Sequence, residues 1–400
     1  MLKARTDSSV LLDVTRLVTR SWTARRSTGI DRVSYAYLRH YRSRALAVVQ
    51  YRGLIRVADA AASEKLFEML LGPPSAFRRQ FVPWLLRELV RKRGAGDHAG
   101  KPYINVGDSD FDLPSHHAWT AREQLRPFYM LHDLIPMRHP HFTRPHAVER
   151  HRGRVLGAIC NGHGIILSSQ TVAGHLSAFA TDQGLTLPER MLAPLGAQDW
   201  SAAANACARS DPPYFVCIGT IEPRKNHALL LKVWSRLTKV LGQQCPRLII
   251  IGQTGKLTGD ILEPLKQDRA LCANVEVLHD CSDERAAAYL AGARAVLMPS
   301  LAEGFGLPVI EALQARVPVI AADVPIMREI TQGCATLIAG DDVDGWAKVV
   351  QAGDDFFDAA KARTRDFRAP TWGTHFALVD ALISADGLKS AAPCESSLAA

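Results

Sequence analysis

Five short apolar runs, largely β-branched, punctuate the second half of the chain: YFVCIG (214–219), RLIIIG (247–252), VEVL (275–278), AVLMPS (295–300) and VPVIAAD (317–323). Each is nearly all apolar, the pattern of a strand covered on both faces in a parallel sheet. Parallel neighbours require a crossover, and segments of helical period stand between the runs. NHALLLKVWSRLTKVL sets Leu229, Val233, Leu237 and Val240 on one stripe, while SDERAAAYLAGA opens on an N-cap Ser282 with Glu284 in its first turn. The repeated β-α unit, closed by helices through Trp346 and Trp372, predicts a doubly wound α/β domain of nucleotide-binding type.

The first half repeats the alternation less regularly. Candidate strands are SVLLDV (9–14), ALAVVQY (45–51), PYINVG (102–107), PFYMLHD (127–133), GIILSS (164–169) and MLAPLG (191–196), with helical patterns in GIDRVSYAYLRHY and SQTVAGHLSAFATD. We read a second α/β domain over residues 1–200 with insertions between 60 and 125, a linker at 197–213, a C-terminal domain over 201–385, and a disordered tail at 386–400. Two such domains in tandem predict a cleft between the C-terminal edges of their sheets, where ligands of this fold class bind.

Composition closes off other classes. At 47% apolar residues the 400-residue chain is too hydrophobic for disorder, its 28 Gly and 22 Pro follow no collagen period, and no window reaches the roughly 18 apolar residues of a membrane span. Asp13 and Arg16 break the only early apolar run, so no signal-peptide core is present and a cytosolic chain is expected. The eight cysteines form no C-x-x-C pair and read as isolated thiols in apolar surroundings, which argues against a disulfide framework or a zinc site. The net charge of +8 is unevenly placed: residues 1–200 hold 28 Lys and Arg against 17 Asp and Glu, or +11, and residues 201–400 hold 20 against 23, or −3. No helix-turn-helix, zinc finger or RNA-binding strand motif accompanies the excess, so nucleic acid is not the expected partner.

Two motifs carry chemistry. PSLAEGFGLPVIEAL follows a strand, places Gly304 and Gly306 in a short loop, and enters a helix at Pro308. Glu303 and Glu311, eight positions apart, can face a ligand whose phosphate sits at the helix N-terminus, and ionised carboxylates accept from vicinal sugar hydroxyls. A simple helix cap is the alternative. GTIEPRKNH (219–227) leaves the first strand at Gly219 and puts Arg224 and Lys225 at the mouth of the next helix, where fixed cations can neutralise a diphosphate without a metal; a solvated basic turn is the alternative.

The order GT-IEPRKN, LIIIG, LAEGFGLPVIEAL and FRAPTWGTH resembles the retaining nucleotide-sugar-dependent glycosyltransferases of family 4. LDVTRL, TGIDRV, LHDLIP and LSSQT are similar to a bacterial subgroup that builds O-antigen, capsule and exopolysaccharide, often with mannose. The resemblance covers the chain to about residue 385 and implies the GT-B architecture, with an acceptor-side N-terminal domain, a donor-side C-terminal domain and hexosyltransferase activity. It implies that Glu303 contacts the transferred hexose and Glu311 the ribose, that amides of Phe305, Gly306 and Leu307 line the sugar-phosphate site, and that Arg224 and Lys225 hold the diphosphate. Loops at Gly252 and at His279 to Cys281 would bracket the base. Many members carry Arg after the first-strand glycine, where this chain has Thr220. The implied donor is GDP-mannose, with no cofactor or metal, and the acceptor a polyprenyl-diphosphate-linked or growing saccharide.

On the acceptor side, Gly29 opens a helix after Arg25 and Arg26, which suits an approach to phosphate; a plain helix start capped by Thr28 is the alternative. The resemblance places His132, at the end of a strand, beside the reacting sugar, with Asp133 orienting it; a satisfied core histidine is the alternative. Histidines 139, 141, 146 and 151 read as surface residues. In PPSAFRRQFVPWLLRELVRKR (73–93), Phe77, Phe81, Trp84 and Leu85 with Arg78, Arg79, Arg87 and Arg91 to Arg93 suit a helix on an anionic leaflet, making the protein peripheral at the inner face of the membrane. With Glu88 on the aromatic side and Pro83 interrupting the first turn, a partly buried ordinary helix is the alternative. Two functional rivals stay open: another enzyme on this architecture, such as a sugar-nucleotide epimerase or a phosphorylase, and an idle nucleotide-sugar-binding subunit of an assembly complex.

Overall fold

The apolar runs become strands of two sheets. The computed structural model describes residues 10–24, 27–91, 98–198, 200, 213–255 and 257–385. The chain forms two units, one of residues 1–137, 145–195 and 372–400, the other of residues 138–144 and 196–371. Arg25 and Arg26, most of the expected linker and the tail at 386–400 lie outside the described residues.

In the first unit, β1 (Val10–Asp13), β2 (Ala45–Tyr51), β3 (Leu54–Val57), β4 (Pro102–Asn105), β5 (Arg126–Leu131), β6 (Gly164–Leu167) and β7 (Glu189–Leu192) lie in the order β3-β2-β1-β4-β5-β6-β7. All neighbours are parallel except β2 and β3, a hairpin turning at Arg52 and Gly53. The sequence pattern missed β3 because an edge strand of four half-exposed residues, LIRV, carries no continuous apolar run. MLAPLG contributes only its first two residues to β7. The core gathers Tyr103, Phe111, Tyr129, Leu131, Val155 and Ile165.

In the second unit, β8 (Tyr214–Ile218), β9 (Arg247–Ile251), β10 (Val275–Leu278), β11 (Ala295–Met298), β12 (Val319–Ala322) and β13 (Thr336–Ile338) form an all-parallel sheet in the order β10-β9-β8-β11-β12-β13. The three residues of β13, half-buried at an edge, were also not apparent in the sequence. Phe215, Trp234, Leu248, Ile250, Leu297 and Trp346 fill the core, and both buried indoles are satisfied: Trp234 donates to the Pro246 oxygen at 2.7 Å and Trp346 to the Ala339 oxygen at 3.0 Å. On the helix His227–Leu241 the stripe of Leu229, Val233 and Leu237 is buried, but Val240 in the last turn has run past the core and is exposed. Ser282 caps Asp283–Gly292, accepting from the Arg285 amide.

Four further expectations change. The last helix, Trp372–Ser384, belongs to the first unit and not to the domain over 201–385. Its buried His375 donates from Nδ1 to the Ala193 oxygen at 3.0 Å and accepts the Tyr37 hydroxyl at 2.8 Å, while Asp380 accepts from Tyr41, Arg44 and His40. Cys272 is exposed. His151 is buried, with Nε2 on the Asp133 carbonyl at 2.9 Å. The helix Pro74–Val90 begins earlier than Pro83, which falls in its interior, and buries Phe77, Phe81, Trp84 and Glu88. Its aromatic stripe is therefore core. No helix among the described residues is long and apolar enough to cross a membrane.

Candidate active site

In the second sheet the strand order reverses between β8 and β11, and in open parallel sheets ligands bind beyond the carboxyl ends of the strands at such a switch point. The loops leaving those two strands carry GTIEPRK and PSLAEGFG. They are clamped together: Leu301 donates its amide to the Arg224 oxygen at 2.8 Å, and the Asn226 side chain donates to the carbonyls of Gly340 at 2.8 Å and Pro299 at 3.3 Å.

The clamp brings Arg224, Lys225 and Glu303 into contact. Lys225 Nζ pairs with Glu303 Oε1, and Arg224 Nη1 donates to Glu303 Oε2 and to the Ala302 carbonyl, both at 3.0 Å. Lys225 is itself buried, so the basic turn is not a solvated one. Burial alone would raise the Glu303 pKa, but Lys225 and Arg224 outweigh it and hold the carboxyl down at about 2. Arg224 Nη2 also pairs with Glu222 at 2.6 Å. Glu222 lies within the EPRKN motif and was not singled out from the sequence. The two cations are thus balanced by two carboxylates. His227, fully buried at the start of the next helix, is driven down to about 4 by burial, with Lys225 adding to the shift and Glu303 opposing it. It adds no charge at neutral pH.

Gly306 precedes the helix Leu307–Gln314 with φ +95°, and a Cβ there would lie 2.9 Å from Ile330 Cδ1. Glycine is required on both counts. No side chain caps this helix start; Pro308 has no N–H and Val309 donates to the Gly306 oxygen at 3.0 Å, so the amides that a ligand could meet are those of Phe305, Gly306 and Leu307. Phe305 and Leu307 are buried beside it. Glu311 is buried in the same helix, where its Oε1 accepts the Gln198 amide at 3.4 Å. At the ends of β8, β9 and β10 the backbone is packed so closely that a Cβ on Gly252 would meet the Gly219 oxygen at 1.9 Å. His279, exposed, donates from Nδ1 to the Gly252 oxygen at 3.2 Å; Cys281 is buried, and Thr220, which follows Gly219, is half-buried.

The first unit has its own switch point, between β1 and β4. Arg16, just after β1, donates to the Gly107 oxygen at 3.5 Å and binds Asp31 Oδ1 at 2.6 Å; Arg20 binds Asp31 Oδ2 at 2.9 Å. Asp31, fully buried, also accepts the Thr28 amide at 2.7 Å and hydroxyl at 2.8 Å, so the helix Gly29–Tyr41 starts on a Thr28–Asp31 capping box with Gly29 exposed at its mouth. Arg16, Arg20 and Asp31 were not chosen as site residues, although LDVTRL contains Arg16 and TGIDRV contains Thr28 and Asp31. His132 is buried with Nε2 2.8 Å from the Val106 carbonyl, which can only accept, so Nε2 carries the proton. Asp133 does not orient it: its Oδ1 accepts the Ile135 amide at 2.9 Å.

Residues 202–352 match the family described as Glycosyl transferases group 1. The serotype-specific mannosyltransferase WbdA of Escherichia coli is 36% identical over 151 residues, 38% of this chain and 18% of that protein. The O-antigen chain mannosyltransferase RfbU of Salmonella typhimurium is 30% identical over 141 residues, 34% of this chain and 37% of its own. The alignments thus span well under half the length of these curated relatives. Among solved structures, Anabaena Alr3699/HepE in complex with UDP and glucose aligns with 94% of this chain and 100% of its own at a TM-score of 0.65 and 16% identity. Sucrose-phosphate synthase from Thermosynechococcus elongatus aligns over 94% and 96% at 0.59 and 15%. These likenesses show the two-domain GT-B fold. The residues that match the group 1 glycosyltransferase family, 202–352, are those that build the Arg224, Lys225 and Glu303 cluster.

Proposed function

We propose that the protein transfers a hexose, mannose by preference, from a nucleotide diphosphate sugar to a hydroxyl of a lipid-linked or growing surface polysaccharide, with the anomeric configuration retained. GDP-mannose is the proposed donor and a polyprenyl-diphosphate-linked saccharide the proposed acceptor, met at the inner face of the cytoplasmic membrane. The observation that carries the reading is the pairing of Glu303 with Lys225 and Arg224 at the switch point of the second sheet. Mannose rests on the names of WbdA and RfbU.

The chemistry follows from the charges. A carboxyl held at about 2 is ionised at neutral pH, so Glu303 accepts hydrogen bonds from hexose hydroxyls and does not act as a proton donor. Arg224, Lys225 and the amides of Phe305, Gly306 and Leu307 receive the negative charge that builds on the leaving diphosphate. The bond from the anomeric carbon to the diphosphate oxygen breaks, the acceptor oxygen bonds to that carbon on the same face, and the acceptor proton passes to the departing diphosphate. Glu311 is assigned to the ribose. Two fixed cations take the place a divalent ion would hold, so transfer is expected to persist in a chelator.

Isotope-labelled GDP-mannose, given with and without acceptor, tests the reading and separates transfer from donor isomerisation or simple binding. Arg224→Ala with Lys225→Ala should lower turnover ~10²-fold or more while a thermal melt shows the variant folded. Near-normal transfer by that double variant overturns the assignment.

A further inference from the structure

Among the described residues ten large apolar side chains are exposed, and five of them lie on the one helix Pro74–Val90: Val82 (42%), Leu85 (37%), Leu86 (59%), Leu89 (68%) and Val90 (83%). They do not scatter around it. Val82, Leu85, Leu86, Leu89 and Val90 stand at i, i+3, i+4, i+7 and i+8, which is the spacing of an apolar helix face. The buried stripe of Phe77, Phe81, Trp84 and Glu88 has the same period beside it. The helix therefore has two apolar faces, and only one is spent on the core.

The neighbours fix which side the second face occupies. Trp84 donates to the Ala62 oxygen at 3.0 Å, so the helix Ala60–Leu71 covers one flank. On the same flank Arg91 pairs with Asp59 and Glu88, and Arg56 lies 3.8 Å from Glu88. On the opposite flank Trp22 packs edge-on against Phe81 at 6.2 Å, with the Arg78 guanidinium over its ring at 5.5 Å and donating to its carbonyl at 2.6 Å. The exposed face runs out from this Trp22 and Arg78 side into solvent, and Trp22 is itself 42% exposed.

The exposed charges of this helix have one sign. Arg78, Arg79 and Arg87 are exposed on this helix, and none has a carboxylate partner among the described residues, whereas Asp59 and Glu88 are held by Arg91 and Arg56 on the far flank. A leucine-rich face edged by a half-exposed tryptophan and unpaired arginines matches the boundary of an anionic bilayer: the apolar side chains enter the acyl region, the indole sits at headgroup depth, and the guanidinium groups meet lipid phosphates. We propose that the face formed by Val82, Leu85, Leu86, Leu89 and Trp22 docks on a membrane surface rich in acidic lipid. This deepens the proposed membrane location, and it replaces the aromatic stripe, which is core, with the face next to it.

The full-length protein is sedimented with phosphatidylcholine vesicles with and without phosphatidylglycerol, in the absence of any sugar donor. Binding is expected only with phosphatidylglycerol and should weaken as salt is raised. Leu86→Glu with Leu89→Glu should abolish sedimentation, and Arg79→Ala with Arg87→Ala should weaken it about 25-fold, near fivefold for each arginine. All four positions are exposed, so unchanged thermal melts are expected. Wild-type protein that stays in the supernatant overturns the proposal, as does undiminished binding by the leucine double variant. A wild-type dimer that this variant dissociates, with no vesicle binding, would assign the face to a second copy instead. Transfer to a water-soluble acceptor should be unaltered in the leucine variant, so loss of docking leaves the assigned activity standing, and loss of activity with docking intact points the other way.

Discussion

Two buried carboxyls respond to burial in opposite directions, and the difference lies in what each touches. Glu303 has Lys225 and Arg224 in contact, and their charges overturn the burial cost and hold it at about 2. Asp13, at the end of β1, has only neutral donors: Gln50 at 2.7 Å, the Tyr103 hydroxyl at 3.0 Å, and Thr15. Burial dominates there, and the hydrogen bonds offset it only in part, leaving Asp13 at about 6. The consequences for stability oppose each other. Glu303 contributes stability that is present above its unfolded value near 4.5 and lost as pH falls toward 2, on the order of 3 kcal/mol. Asp13 contributes stability that is present below about 3.8 and lost as pH rises through 6. Urea denaturation from pH 3 to 7 should therefore show wild type gaining on Glu303→Gln as pH rises from 3 to about 5, and losing ground to Asp13→Asn between about 4 and 6. Curves that stay parallel across that range would refute both assignments.

At the scale of elements, a strand covered on both faces announces itself, and one at an edge does not. Thus β8 to β12 were legible as near-continuous apolar runs, while β3 and β13, short and half-exposed, were not. The second-unit site was legible for a related reason: Gly306, Glu303 and Arg224 sit in local motifs whose backbone needs are written into consecutive residues. Glu222 stood in the same motif, but its role depends on which way Arg224 turns, and no sequence spacing specifies that. Arg16 and Arg20 reach Asp31 across a loop, and Trp372–Ser384 joins the first unit through Tyr37 and Ala193, contacts between residues far apart in the chain. The helix Pro74–Val90 shows the limit most clearly. Its composition indicated an amphipathic segment, yet which of two apolar faces meets the core was decided by the helices packed against it. Where a local requirement is explicit, a substitution has a definite outcome. Gly306→Ala must adopt a positive φ and press on Ile330, which should cost about 1–2 kcal/mol and displace the amides of residues 305–307. A thermal melt should fall, and any shift produced by GDP-mannose, the proposed donor, should shrink by more than the melt alone accounts for. A variant that melts and binds as wild type does would remove the helix start from the donor site.

At the scale of the molecule, the excess of positive charge follows the division into units. The half of the chain through residue 200 carries +11 and the rest −3, yet the second-unit site holds its two cations in balance with Glu222 and Glu303. The surplus belongs to the first unit, where unpaired arginines edge an exposed apolar face. Each unit also has its own sheet and core, so heating should not produce a single all-or-none transition. One transition should respond to changes that loosen the first unit. Asp380 accepts from Tyr41, Arg44 and His40, and Asp380→Ala, by leaving the C-terminal helix without these bonds, should lower that transition by about 1–3 kcal/mol. The other should respond to the donor, because a ligand at ~100 times its dissociation constant adds about 2.7 kcal/mol to the state that binds it. Scanning calorimetry of wild type and Asp380→Ala, each with and without GDP-mannose, separates the two. If the mutation and the nucleotide sugar move the same transition, the units unfold together and the division of labour between them is wrong. If GDP-mannose moves neither while another nucleotide sugar does, the site stands and the donor is reassigned.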